Sequence, residues 1–261
     1  MGLSVLIPWA DRPELAQTLS ANAQVFAALD AEVLVANCGG DGSALARLAE
    51  AADIPRLRVV ECGPGQFNKC RAINIAAEAA QGDLLFFLDA DVVLNGALEL
   101  PVDLLSGDAF MTLERVRESS AGQAGQGPGD LAGVRFTLTL EFSVAEPITV
   151  ETGRRHFDND ARSSPGLMLV SAADFRAVGG MDARMAHWGW EDLDLIVRLQ
   201  HLLGRKRIEH GSALHLTHGD DRRNLPAGLS RAESERKNLN FALAKYRAGD
   251  WLGTLAADTT V

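Results

Sequence analysis

The chain has 261 residues, 47% of them hydrophobic, and a formal net charge of −10. That size and apolar content suit one large α/β domain, or at most two small ones, with a sizeable core. An acidic surface without a basic stripe argues against an electrostatic grip on nucleic acid or anionic lipid. No apolar run approaches the roughly 20 residues that span a bilayer, so no membrane insertion is expected. The first methionine leads straight into a strand-like segment with no signal region, so a soluble, cytoplasmic protein is expected. Cys38, Cys62 and Cys70 are odd in number and lack paired metal spacing. They read as buried free thiols.

Short apolar runs alternate with longer helical patterns. LSVLIP leads to a helical stretch over Pro13–Leu29, EVLVAN to one over Ser43–Ala52, and LRVVE to one over Phe67–Ala80, before the strand LLFFLD. This βαβα order predicts an α/β fold with a mostly parallel sheet between helices. The second half changes character, with strand-like segments at Val134–Val144 and Gly166–Ser171. Residues 119–133 are rich in Gly and Ala, as either a mobile lid or a tolerated insertion would be. The polar stretch Glu151–Pro165 reads as irregular, and both segments are placed at a cleft border. A last helix, Ser230–Arg247, is expected to pack on the sheet.

Three groups carry chemistry. In FFLDADV, the apolar strand stops at Asp89 and Asp91, hard oxygen ligands at a sheet edge where a cation and a phosphate can meet. A helix cap or turn explains such acids equally well. If the segment is extended, alternation puts both carboxylates on one side. In HWGWEDLDL, Glu191, Asp192 and Asp194 gather at a helix start, where the dipole favours acids. Trp188 and Trp190 beside them offer flat faces for a sugar ring, and Gly166 joins them as an acceptor-side candidate. Crowded carboxylates raise one another's pKa, which suits a general base. In LHLTHGDDRRN, His215 and His218 share a helix face or lie on opposite faces of a strand, so one rather than both is expected at a metal. A histidine added to carboxylates suits Mn²⁺ better than Mg²⁺. Arg222 and Arg223 meet phosphate or form a solvated turn.

Together these segments, with FNKCRAINIAAEAAQGD and GGMDARMAHWGWEDLDL, resemble nucleotide-sugar glycosyltransferases of the GT-A fold. More narrowly, the chain is similar to glycosyltransferase family 2 proteins with a galactosyltransferase-type C-terminal half. The resemblance implies one domain over 1–261, with a nucleotide-sugar half (1–115) and an acceptor-binding and catalytic half (134–261). It implies Asp89 and Asp91 as the DxD element, with Asp91 the direct metal ligand, and His218 as the C-terminal metal histidine. His215 falls where galactosyltransferases have a further ligand, a methionine. Pro8, Arg12, Phe67 and Lys69 fall where the family holds the nucleotide. Asp192 matches the base of inverting members, with Glu191 contacting the acceptor or ordering the helix start. In place of the aspartate pair that often grips uracil and ribose stands VANCGG, where Asn37 can still hydrogen-bond a base. The two glycines that galactosyltransferases place before the acids are missing between Trp190 and Glu191.

The expected activity is inverting, metal-dependent hexosyl transfer from a nucleoside diphosphate sugar, UDP-linked by the resemblance, to an acceptor hydroxyl. Retaining transfer and non-catalytic nucleotide-sugar binding are the alternatives. Sugar-phosphate nucleotidyl transfer needs a glycine-rich basic loop after the first strand, which WADRPELAQ does not supply.

Overall fold

The computed structural model describes residues 2–96, 108–120, 130–219 and 225–260. Four strands form the parallel part of the sheet: β1 (Leu3–Trp9), β2 (Glu32–Asn37), β3 (Leu57–Glu61) and β4 (Leu84–Phe87), in the order β3-β2-β1-β4. Between them run α1 (Leu15–Ala28), α2 (Gly42–Ala51) and α3 (Lys69–Ala79). β1, β2 and β4 are mostly apolar and buried along their length. Val5, Ile7, Val33, Val35 and Phe86 pack on one face with Leu15, Leu19 and Phe26 of α1 and Leu45 of α2. Leu6, Leu34, Ala36 and Phe87 pack on the other with Ala72, Ile73 and Ala76 of α3. Cys38, Cys62 and Cys70 are free and buried in that second cluster, as expected.

Beyond β4 the sheet becomes mixed, because hairpins replace helical crossovers. The later strands are β5 (Val92–Leu94), β6 (Ala109–Glu118), β7 (Gly133–Leu140), β8 (Ile148–His156), β9 (Ala161–Ser171), β10 (Lys206–Glu209) and β11 (Ser212–His215). β9 runs antiparallel to β4, β6 and β8, while β10 and β11 lie parallel to successive parts of β6. Two expectations change here. The 151–165 stretch is not irregular: it supplies the end of β8, a tight turn with Asp160 at φ 53° and the start of β9. Its polar side chains pass for a loop because that part of the ladder faces a cleft, not the core. The predicted 134–144 strand stops at Leu140, and Val144 is 97% exposed. The centre of the 119–133 insert, residues 121–129, and the Arg222–Arg223 pair lie outside the described residues.

Four further helices follow among the described residues: α4 (Ala172–Ala177), α5 (Glu191–Leu203), α6 (Arg231–Arg247) and α7 (Leu255–Thr259). Ser230 and Glu233 close a capping box at the start of α6. α6 does not lie on the sheet as expected but on the segment leading into α5. Ser234 bonds the Trp188 backbone, and Asn238 donates to the Ala186 and Gly189 carbonyls. Among the described residues no helix is long and apolar enough to cross a membrane.

Asp194, one of the three acids at the start of α5, belongs to the architecture. It is fully buried, accepts from Arg198 Nε at 2.7 Å and from the Tyr246 hydroxyl at 2.7 Å, and lies 3.2 Å from Lys245 Nζ. Arg198, also fully buried, donates to the carbonyls of Val178 and Gly180 at 2.6 Å. Arg198→Ala strips these acceptors of a buried charged donor and is expected to cost about 3–5 kcal/mol, read as a lowered urea midpoint.

Candidate active site

The site begins where β4 ends. Asp89 and Asp91 lie in a turn, closed by the Val92 N–H donating to the Asp89 carbonyl at 3.2 Å, so strand alternation is not what aims them. Buried polar groups of α1 fix this turn. Thr18 donates to the Ala90 carbonyl, and the Asn22 amide bonds Val92 and Leu94. β11 pairs antiparallel with β5, setting His215 opposite Val92, and the Leu216 N–H donates to the Asp91 carbonyl at 2.7 Å.

The strand ends at His215, and the following loop swings His218 back to the same place. Both rings therefore converge, which strand geometry alone forbids: Asp91, His215 and His218 each offer a ligand atom within 4.8 Å of the others. His215 Nε2 lies 3.6 Å and His218 Nε2 3.2 Å from the Asp91 carboxylate. The opposite nitrogens are held from outside, His215 Nδ1 by Glu118 at 2.7 Å and His218 Nδ1 by the Gly219 carbonyl at 2.8 Å. A carbonyl only accepts, so the Gly219 contact is made by an N–H at His218 Nδ1, and Nε2 is the nitrogen turned to Asp91, the orientation of a metal histidine held by a backbone carbonyl. The donor set fits a divalent cation. Burial, then the neighbouring Asp89, raises the Asp91 pKa, and the Arg12 guanidinium meets that carboxylate at 2.6 Å.

Lys69 opens α3, where the helix dipole disfavours a cation, and two acids offset that cost. Its Nζ lies 3.2 Å from both Asp89 and Asp192. Burial works against its charge, yet Asp192 and Asp89 raise its pKa well above the usual lysine value. Gly166 of β9 passes so close that a Cβ there would overlap Asp192 and stand 2.9 Å from Lys69 Nζ. It packs against the base candidate and lines the cleft with its backbone.

Trp190 caps α5 in the left-handed region at φ 71°, a strained conformation for a side-chain-bearing residue that His187 shares (φ 70°), with Gly189 at φ 93° between them. The three acids of the first turn offset the missing side-chain cap. Trp190 is only 7% exposed and packs in the core, so its ring is not the open sugar platform expected of it. Trp188 lines the cleft with the Arg231 guanidinium 4.3 Å from its ring centre. Burial, then Asp192, pushes the Glu191 carboxyl up to about 8. Asp192 is also raised by burial, but Lys69 opposes this and holds its Oδ2 at 3.2 Å. Both carboxyls of this pair are pushed up by burial, and Asp192 is the one with the Lys69 ammonium in contact to favour its charged form.

A cleft of about 580 Å³ is lined by Pro8, Arg12, Phe67, Lys69, Asp89, Asp91, Gly166, Trp188, Trp190, Glu191, Asp192, His215 and His218. Asn37 does not line it. Its amide is committed to both sides of Gly40 and to Glu61. Glu118, the partner of His215, and Gly153 and Phe136 of the β7–β8 hairpin line the cleft and escaped the sequence reading. No short-range signal marks them, since each reaches the cleft through strand pairing.

Because Glu191 titrates near 8 when folded and near 4.5 when unfolded, the folded state holds the extra proton between those values. Stability therefore falls as pH rises through that window. Glu191→Gln cannot lose this proton, so its stability relative to wild type is expected to improve from pH 4.5 to 8, read by thermal melts across that range.

The family model described as glycosyl transferase family 2 matches residues 4–110, and that described as the N-terminal domain of galactosyltransferase matches residues 150–218. Comparison with curated protein sequences gives no match. Among solved structures, S. aureus TarS is similar at a TM-score of 0.55 and 14% identity, over 95% of this chain and 72% of that one. S. aureus TarS in complex with UDP-GlcNAc matches at 0.55 and 12% identity, over 95% and 73%. A mycobacterial protein matches at 0.56 and 16% identity, over 95% and 75%. With the parallel sheet, the acidic turn at its edge and the acid-rich helix start in the order these families use, the chain belongs to the GT-A-fold glycosyltransferases of family 2, with a galactosyltransferase-type C-terminal half.

Proposed function

We propose that the protein transfers a hexosyl unit from a nucleoside diphosphate sugar to an acceptor hydroxyl with inversion at the anomeric carbon. The observation that carries this is one cleft lined by both the Asp91–His215–His218 trio and Asp192, whose Oδ1 is buried without a hydrogen-bond partner among the described residues. A UDP-linked donor is supported by similarity to TarS, whose structures include complexes with UDP and UDP-GlcNAc.

Asp91, His215 and His218 would hold a divalent cation, and their mixed oxygen and nitrogen donors suit Mn²⁺ better than Mg²⁺. When bound, it supplies positive charge against the diphosphate of the departing nucleotide. Arg12 and Lys69 add to that potential from the chain itself, and Pro8 and Phe67 give the nucleotide an apolar wall. Asn37 serves the donor side indirectly, by fixing the Gly39–Gly40 backbone at the carboxyl end of β2, where α/β sheets bind nucleotides. Asp192 accepts the acceptor hydroxyl proton at Oδ1 while Lys69 restrains Oδ2. Glu191, protonated near neutrality, avoids a second negative charge beside the base and stands ready to donate a hydrogen bond. A single displacement from the face opposite the diphosphate inverts the anomer.

Asp192→Asn is expected to retain nucleotide-sugar binding and lose transfer by about 10²–10⁴. Isothermal titration with UDP and Mn²⁺ plus a UDP-release assay over a panel of UDP-sugars and acceptors checks both halves. Undiminished turnover removes Asp192 as the base, and a product with retained configuration by proton NMR removes single displacement. His218→Ala is expected to weaken Mn²⁺ about tenfold or more in a metal titration of UDP binding. An unchanged titration takes His218 out of the metal site.

A further inference from the structure

The cleft continues past the groups used above, onto the β7–β8 hairpin. Phe136 is 57% exposed there and lines the cleft, opposite Gly153 in the strand register. Gly153 is not required by the backbone, since its φ lies outside the left-handed region, and a Cβ built on it would meet nothing within 4 Å. An exposed aromatic beside a bare stretch of strand forms a shelf on which a ring can lie. The two tryptophans near the base do not provide one, Trp190 being buried and Trp188 overlain by Arg231.

A second observation stands beside it. On the neighbouring row of the cleft face, Arg155 of β8 pairs directly with Arg162 of β9. Like charges opposite one another on a sheet repel. Arg155 meets Asp160 at 3.2 Å with both side chains more than half exposed, and Arg162 meets Glu118 at 3.4 Å, a carboxylate already shared with His215. Exposed pairs of this kind contribute little. Two arginines at facing positions of a cleft wall suit an anion between them, because each guanidinium presents a fork of donors to phosphate or carboxylate oxygens. Arg162 stands four residues before Gly166 on β9, which bulges between Ser164 and Met168, so the two positions lie up to about 13 Å apart along the strand. An acceptor that reaches from Asp192, against Gly166, to Arg162 spans this wall, which suits more than one sugar unit.

We propose that Phe136, Gly153, Arg155 and Arg162 form a distal acceptor subsite, which takes a unit beyond the one that receives the sugar and binds an anionic group on it. The acceptor is therefore an oligomer carrying phosphate or carboxylate. This rests on the glycosyl-transfer reading and names the substrate class of the same cleft.

The test uses an array of neutral, carboxylated and phosphorylated oligosaccharides of one to four units, probed with the full chain, UDP and Mn²⁺. Wild type is expected to retain anionic oligomers of two or more units. Phe136→Ala weakens that retention about tenfold, and Gly153→Val, which fills the open shelf, does the same. Arg155→Ala reduces the preference for anionic over neutral chains about tenfold, and the carboxylated and phosphorylated arms identify which anion is read. UDP affinity, titrated in parallel, stays within twofold in all three variants, which also reports that they fold. Equal retention of neutral single sugars, no retention of any anionic oligomer, or unchanged binding by Phe136→Ala overturns the subsite. An Arg155→Ala variant that loses UDP affinity instead assigns the arginines to the donor diphosphate and also overturns it. UDP release from UDP-sugars into water, measured on wild type, reports separately on the transfer chemistry, so failure of that reading is distinguishable from failure of the subsite.

Discussion

The ammonium of Lys69 lies between Asp89, at the end of the parallel sheet, and Asp192, at the start of α5, 3.2 Å from each. Two carboxylates brought together out of water repel and lose hydration, and a cation shared between them offsets both. This one contact sets the distance between the donor-side acids and the base. It also dictates what passes beside it. β9 runs so close to the pair that only a residue without Cβ fits, which accounts for Gly166. A buried ion pair adds little to net stability, so the cluster contributes geometry and charge state.

The other half of the site is held from behind. The segment before α5 adopts left-handed backbone at His187, Gly189 and Trp190, conformations that non-glycine residues keep only when their surroundings enforce them. α6 supplies that enforcement through Ser234 and Asn238, which bond the backbone from Ala186 to Gly189. α3 and its N-cap grip the preceding stretch through Asn68, the cap, donating to Ala183, and Asn74, bonded to Met181. Below the acid-rich turn, Asp194 and Arg198 lock α5 to the Val178 and Gly180 carbonyls. The three acids at this helix start thus divide by environment: Asp194 is bonded to Arg198 and Tyr246, Glu191 is buried with its pKa pushed up, and Asp192 meets the Lys69 ammonium.

The metal trio shows a third kind of dependence. Asp91 is placed by α1 through Thr18 and Asn22, and His215 by pairing between β11 and β5. His218 arrives by a loop that the Asp91 carbonyl itself anchors at Leu216. Three elements distant in sequence meet at one carboxylate, and Glu118 of β6 orients the imidazole of His215 from outside.

Local periodicity carried the first half of the chain. Strands buried on both faces read as apolar runs, and helices that cover them read as stripes, so β1, β2, β4 and α1 to α3 were legible in outline, as was the half-exposed β3. The identity of the reactive side chains was legible too, since acids at a strand end and at a helix start are chemically conspicuous. The sequence by itself determined the α/β order, the family and the residue types of the site. Only the tertiary structure decided their assignments: His215 and His218 converge because a strand ends between them, and Trp190 turns into the core. Asn37 spends its amide on its own turn, and Glu151–Pro165 becomes a hairpin lining the cleft. The physical reason is range. Propensity and hydrophobic period act over a turn or a strand, whereas these outcomes were set by strand register, burial and charge pairing between residues as far apart in the chain as Asp91 and His218.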